Sequence, residues 1–178
     1  MLLGMSLATF TLVHVIISLV GIAAGLIVLG GLYASNRMPG VTALFLVTTL
    51  LTSVTGFMFP FKGFGPPHAV GVISLVVLGF ALLGFYPYRL AGRWRAIYVS
   101  TAVFALYLNV FVLVVQMFQK IPALNQFAPK GNEPPFAVTQ AIVLVLFGVA
   151  GWGAVKKFRP AGEISVATRS ASPAAKLG

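Results

Sequence analysis

The 178 residues contain no cysteine and no aspartate, and only two glutamates, Glu133 and Glu163. Without cysteine the chain forms no disulfide, iron–sulfur cluster, thiolate metal site or covalently attached haem. Charged residues are 8% of the total, against about a quarter in an ordinary soluble domain. Both glutamates lie outside the long apolar segments, so carboxylate-based cation or proton carriage through those segments is disfavoured. His-Glu-x-x-His and paired aspartates are absent, which removes two chemistries of intramembrane proteolysis. Ser18 one turn from His14 leaves a Ser–His dyad conceivable, without a loop that would make an oxyanion hole. There is no internal repeat of the kind that builds inverted-repeat transporters.

The net charge is +10, but the basic residues do not form a stripe interleaved with aromatics, as a nucleic-acid interface requires. They fall between apolar segments and in the C-terminal tail. Hydrophobic residues make up 59% of the chain, and mean hydropathy is +1.01. Five runs dominate: Thr9–Tyr33, Val41–Phe59, His68–Tyr86, Trp94–Phe118 and Pro135–Val155. A helix crosses the hydrocarbon core in roughly 20 residues. Lipid offers the backbone no hydrogen bonds, and none of the runs alternates as barrel strands do. The expected fold is all-α: an integral membrane bundle of five transmembrane helices within residues 1–157, followed by a disordered basic tail over 158–178. The first run lacks a basic leader and exceeds the apolar core of a signal peptide, so it is expected to remain as the first span.

Five spans place the termini on opposite sides. Arg37, Arg89, Arg93, Arg95, Lys156, Lys157, Arg159, Arg169 and Lys176 share one side, and Lys62, Lys120 and Lys130 the other. The positive-inside rule predicts the N-terminus outside and the C-terminus cytoplasmic. Tyr33, Tyr86, Tyr88, Trp94 and Trp152 gather at the predicted cytoplasmic interface, as interfacial anchors do. The opposite end holds phenylalanine instead: Phe10, Phe57, Phe59, Phe61, Phe64, Phe118, Phe127 and Phe136. These rings make either a greasy rim at the lipid surface or an apolar wall for a ligand or partner subunit. The Lys-Lys-Phe-Arg run from Lys156 suits anionic headgroups of the inner leaflet. Prolines preclude a long helix in Gln119–Pro134, where Ile121, Leu124 and Phe127 are placed to return a short turn to the interface.

Small and polar residues recur at helical spacing: His14, Ser18, Gly21 and Gly25; Thr48, Thr52, Thr55 and Phe59, flanked by Thr49, Ser53 and Gly56; His68, Gly71, Leu75 and Gly79; Tyr98, Ala102, Ala105, Asn109, Val112, Gln116 and Gln119; and Gln140, Leu144, Phe147 and Gly151. These stripes are expected to face inward, with Gly21 and Gly25 allowing close helix approach. At about 1.5 Å per residue His14, Thr55 and Gln140 fall at one depth in the outer half, with Asn109 deeper and Gln116 and His68 shallower. His68 follows Gly65-Pro66-Pro67 and is expected in the first turn of its helix.

His14, His68, Asn109, Gln116 and Gln140 are the candidate ligand-binding residues. A histidine within a span needs partners and is a functional candidate by default. A neutral imidazole ligates metals, donates to carbonyls or passes protons. Two classes of function follow. One is a redox site in the outer half, either a quinone slot lined by His14, Asn109, Gln116, Gln140 and the phenylalanines, or a b-type haem held by His14 and His68. The other is a non-catalytic accessory or interaction subunit, possessing no catalytic residue and no metal, in which Ser, Thr, Asn and Gln hold helices together. Its partners are the lipid bilayer and a further membrane subunit or second copy, with no nucleic acid.

The runs Thr52-Ser-Val-Thr-Gly-Phe-Met-Phe-Pro60, Ala105-Leu-Tyr-Leu-Asn-Val-Phe-Val112 and Gln116–Phe136 resemble those of an uncharacterised family of small bacterial polytopic inner-membrane proteins. The resemblance covers most of Thr9–Val155. It implies a multi-pass protein of the bacterial inner membrane and carries no activity.

Overall fold

The computed structural model describes residues 4–59 and 65–160, and within them every regular element is helical. The helices are α1 (Leu7–Tyr33), α2 (Pro39–Phe57), α3 (Pro66–Phe85), α4 (Arg93–Lys120), α5 (Pro122–Asn125) and α6 (Pro134–Lys157). All but α5 are long and apolar enough to span a membrane. Local chemistry explains their starts. Ser6 Oγ accepts the Thr9 N–H at 3.1 Å and caps α1. Pro39, Pro66, Pro122 and Pro134 open the other helices save α4, where proline's missing N–H has no intrahelical partner to lose. His68 accordingly sits in the first turn of α3. The short α5, between Lys120 and Phe127, is the turn that the prolines of this segment allow.

Helices α1 to α4 run up and down, and each packs on the next; α4 closes back on α1, making a four-helix bundle. α6 lies outside it, mainly on α4 and touching α1. Half of the most apolar window of α4 is buried against 11% of that of α6, so α4 is the hub. Apolar helices gain nothing from leaving lipid for each other, so van der Waals fit decides the packing. The fit is tightest around α1. A Cβ on Gly25 would stand 2.5 Å from Leu106 Cδ1 and 2.9 Å from the Phe45 ring, and one on Gly21 would stand 3.0 Å from Thr48 Oγ1. The close approach expected at Gly21 and Gly25 is therefore present.

The α3 stripe faces differently from expectation, and the α6 stripe departs at one position. α3 buries Ser74, Leu78, Ala81 and Gly84, about 100° round from the His68–Gly71–Leu75–Gly79 line; of that line Gly71 meets the Phe57 ring of α2, while Gly79 has nothing within 4 Å. On α6 Gln140 is buried, Phe147 packs on the core and a Cβ on Gly151 would stand 3.3 Å from Val103, as expected, while Leu144 is 52% exposed. Small residues permit close approach without demanding it, and α6 meets the bundle along a narrow seam. On α4, Tyr98, Ala102, Ala105 and Asn109 are buried as expected, whereas Gln116 and Gln119 are exposed.

Candidate functional site

One end of the bundle carries the basic and aromatic residues, the other the histidines and phenylalanines. At the histidine end, α1 brings His14 beside α2, where His14 Nδ1 lies 2.7 Å from Thr55 Oγ1. The Thr55 hydroxyl donates to the Leu51 carbonyl at 2.7 Å, back-bonding as helical threonines do. Its lone pair therefore receives the Nδ1–H of His14, and Nε2 becomes the acceptor nitrogen of that ring. Phe59 meets the imidazole edge-on, with centroids 5.2 Å apart, and Phe10 packs on Phe59 at 5.1 Å. Ser18 Oγ donates to the carbonyl of His14, not to its ring, so the hydroxyl is engaged by backbone and no Ser–His dyad forms.

Asn109 Nδ2 donates to Thr49 Oγ1 at 3.0 Å. Both residues are buried, and the bond ties the diagonal helices α2 and α4. Gln140 Nε2 donates to the Phe111 carbonyl at 3.1 Å, tying α6 to α4. Its Oε1 is buried without a partner, as is Thr52 Oγ1. His68 is half-buried; the Gly65 N–H reaches its Nδ1 at 3.4 Å, and its ring tilts against Phe57 at 6.0 Å. Gln116 is exposed on α4.

Depth counting thus predicted the His14–Thr55 level, but the five candidate residues do not converge. His14 belongs to the α1–α2 interface, Asn109 to α2–α4, and Gln140 to α4–α6. His14 engages Thr55 and His68 packs on Phe57; two helical residues two positions apart point about 200° away from each other. The imidazoles therefore lie on different sides of α2 rather than facing across a shared space. Among the described residues no three His or Glu side chains are grouped as a metal would need. An internal cavity lined by Gly25, Val28, Leu32, Phe45, Ala102 and Leu106 holds about 10 Å³, at most room for one water.

The basic end is knitted more densely, and sequence reasoning, which read it for topology, interfacial anchors and headgroup contact, did not anticipate its hydrogen bonds between helices. Arg95 lies in the first turn of α4, where the helix dipole disfavours a cation. It compensates by donating to the Val155 and Phe158 carbonyls at 2.9 and 2.5 Å, capping the end of α6. An arginine on the wrong end of its own helix is the signal that pointed there. Tyr33 Oη donates to the Ala150 carbonyl at 2.9 Å, and Gly153 leaves the space that its ring occupies. Ser35 Oγ donates to the Lys157 carbonyl at 2.9 Å and accepts the Arg159 N–H at 3.1 Å. Phe158 is fully buried, so packing runs past Lys157 into the first residues of the expected tail; residues 161–178 lie outside the described residues.

Comparison of the chain with protein-family models, with curated proteins and with solved structures finds no match.

Proposed function

We propose that this protein is a non-catalytic accessory or interaction subunit of the bacterial inner membrane, inserted with its N-terminus outside and its C-terminus in the cytoplasm. The observation that carries this reading is the use made of the polar side chains. His14–Thr55, Asn109–Thr49 and Gln140–Phe111 each join a different pair of helices. Such bonds hold spans together, and little chemistry remains for a substrate once they are made. The sparse burial of α6 supports an interaction role, because most of its surface is left for lipid or a neighbouring subunit. The orientation rests on Arg and Lys together with Tyr and Trp at one end.

A quinone-binding reading has one observation in its favour, the unpartnered buried Gln140 Oε1, which would accept a quinol hydroxyl. Purification in mild detergent separates the readings, through a reduced-minus-oxidised spectrum and analysis of extracted lipid. The accessory role expects neither a haem band nor co-purifying quinone. Near-stoichiometric quinone that falls away in Gln140→Leu would overturn it. The cysteine-free chain makes sidedness directly measurable: Arg89→Cys is expected to resist a membrane-impermeant maleimide in intact spheroplasts, while Asn132→Cys is labelled.

A further inference from the structure

At the basic end the cations are held together and lack a carboxylate among the described residues. Glu133 caps the far end of the bundle, and Glu163 lies outside the described residues. Ser35 stitches the α1–α2 connection to the end of α6 by bonding the backbone on both sides of Phe158. This holds the backbone of Lys157 and Arg159 on Ser35, which stands two residues before Arg37 in the chain. Arg37 spends one of its guanidinium N–H groups on the Arg89 carbonyl, at 2.6 Å, and four of the roughly five donors of such a group remain. All three side chains are exposed.

Immediately beside them are two cation–aromatic pairs. Lys156 Nζ sits 3.7 Å over the Trp152 ring, and Lys157 Nζ lies 5.3 Å from that of Tyr33. Trp152 is 64% exposed, and Val149 one turn along is 63% exposed. Donors at the helix end, an aromatic at interfacial level and an apolar flank above it follow the order of a phospholipid: phosphate, glycerol, acyl chain.

We propose that the seam between α1 and α6 at the basic end is a binding site for an anionic phospholipid, its phosphate held by Arg37, Lys157 and Arg159 and its acyl chain lying along Val149 and Trp152. The site rests on the proposed insertion, with the basic end at the inner leaflet, where anionic lipid attracts clustered Lys and Arg. A phosphate diester suits the guanidinium forks, and the aromatic belt fixes depth.

The test uses the full chain in zwitterionic detergent, in a Trp94→Phe background so that Trp152 is the sole fluorophore of its kind. Brominated phosphatidylglycerol and brominated phosphatidylcholine with the same acyl chains are titrated as quenchers. Phosphatidylglycerol is expected to quench at a much lower mole fraction. Each cation removed should weaken that preference about fivefold, so the triple variant R37Q/K157Q/R159Q brings it down about a hundredfold, to the phosphatidylcholine level. The charge-conserving R37K/K157R/R159K, carrying the same three changes of shape, should retain most of the preference. K120Q/K130Q, altered at the far end, should retain all of it. Equal quenching by the two lipids, or a preference that survives the triple variant, overturns the site. Displacement of the lipid by millimolar inorganic phosphate also overturns it, in favour of a free-anion site. Detergent removes sidedness from the measurement, so a failure here is distinct from a failure of the orientation, which the maleimide labelling reports.

Discussion

His14 donates its Nδ1–H to Thr55 Oγ1 across 2.7 Å, while the Thr55 hydroxyl serves the Leu51 carbonyl of its own helix. The pair is a two-step relay from an α1 side chain to the α2 backbone. Its expected worth is that of a hydrogen bond between spans, about 0.6 kcal/mol and at most about 1.7. A double-mutant cycle with His14→Ala and Thr55→Val, read by unfolding in mixed micelles, should return a coupling in that range. His14→Gln, which offers an amide N–H, should unfold close to the parent. A His14→Gln protein that keeps its stability yet loses its cellular role would show that the imidazole does more than hold helices.

Asn109 and Gln116 sit two turns apart on α4, and the fold separates their fates. Asn109→Leu leaves the buried Thr49 hydroxyl without its donor and should cost about 1–2 kcal/mol. Adding Thr49→Val removes the orphan and should recover part of the loss. Gln116→Ala, on an exposed position, should change stability by less than about 0.5 kcal/mol. Equal losses for the two single variants would contradict the observed burial.

Glycines on α1 and α3 should respond in opposite ways. Gly25→Ala drives a methyl into Leu106 and Phe45, and overpacking of this kind costs about 1–3 kcal/mol. Gly79→Ala meets open space and should be neutral, or stabilising by up to about 1 kcal/mol through helix propensity. Thermal melts of both purified variants decide the matter.

Glu133 organises the connection between α5 and α6. Its carboxylate accepts the Lys130 and Asn132 N–H groups at 2.9 and 3.0 Å. Desolvation raises its pKa, but hydrogen bonds from the backbone at Lys130, Glu133, Asn132 and Gly131 outweigh that, and the net displacement is downward. A carboxyl lowered on folding contributes stability above its unfolded pKa and loses it as pH falls through the folded value. Hydrogen exchange at the Lys130 and Asn132 amides should therefore gain protection as pH rises through the acidic range, after correction for intrinsic rates. Glu133→Gln should abolish that acid-dependent limb.

The contrast between the two ends of the bundle shows what was legible and why. The level shared by His14 and Thr55 follows from a fixed rise per residue counted from the ends of apolar runs. The start of α3 at Pro66 and the break after Lys120 follow from proline's missing N–H. The buried face of α3 was not legible, because Gly71, which meets the Phe57 ring, and Gly79, which meets nothing, look alike in the sequence. Nor was the Arg95 cap on α6, which joins residues some sixty positions apart; its only local trace was a cation at the unfavourable end of a helix dipole.

The sequence by itself determined the number of long apolar helices, their approximate ends and the side chains available within them, since run length, proline and hydrogen-bonding capacity are local properties. Only the tertiary structure decided that α4 is the hub, that α6 stands outside a four-helix core, and that the candidate residues divide among separate interfaces. Between apolar helices no hydrophobic force picks the face, so shape complementarity among distant residues makes that choice, and it exists only once the helices meet.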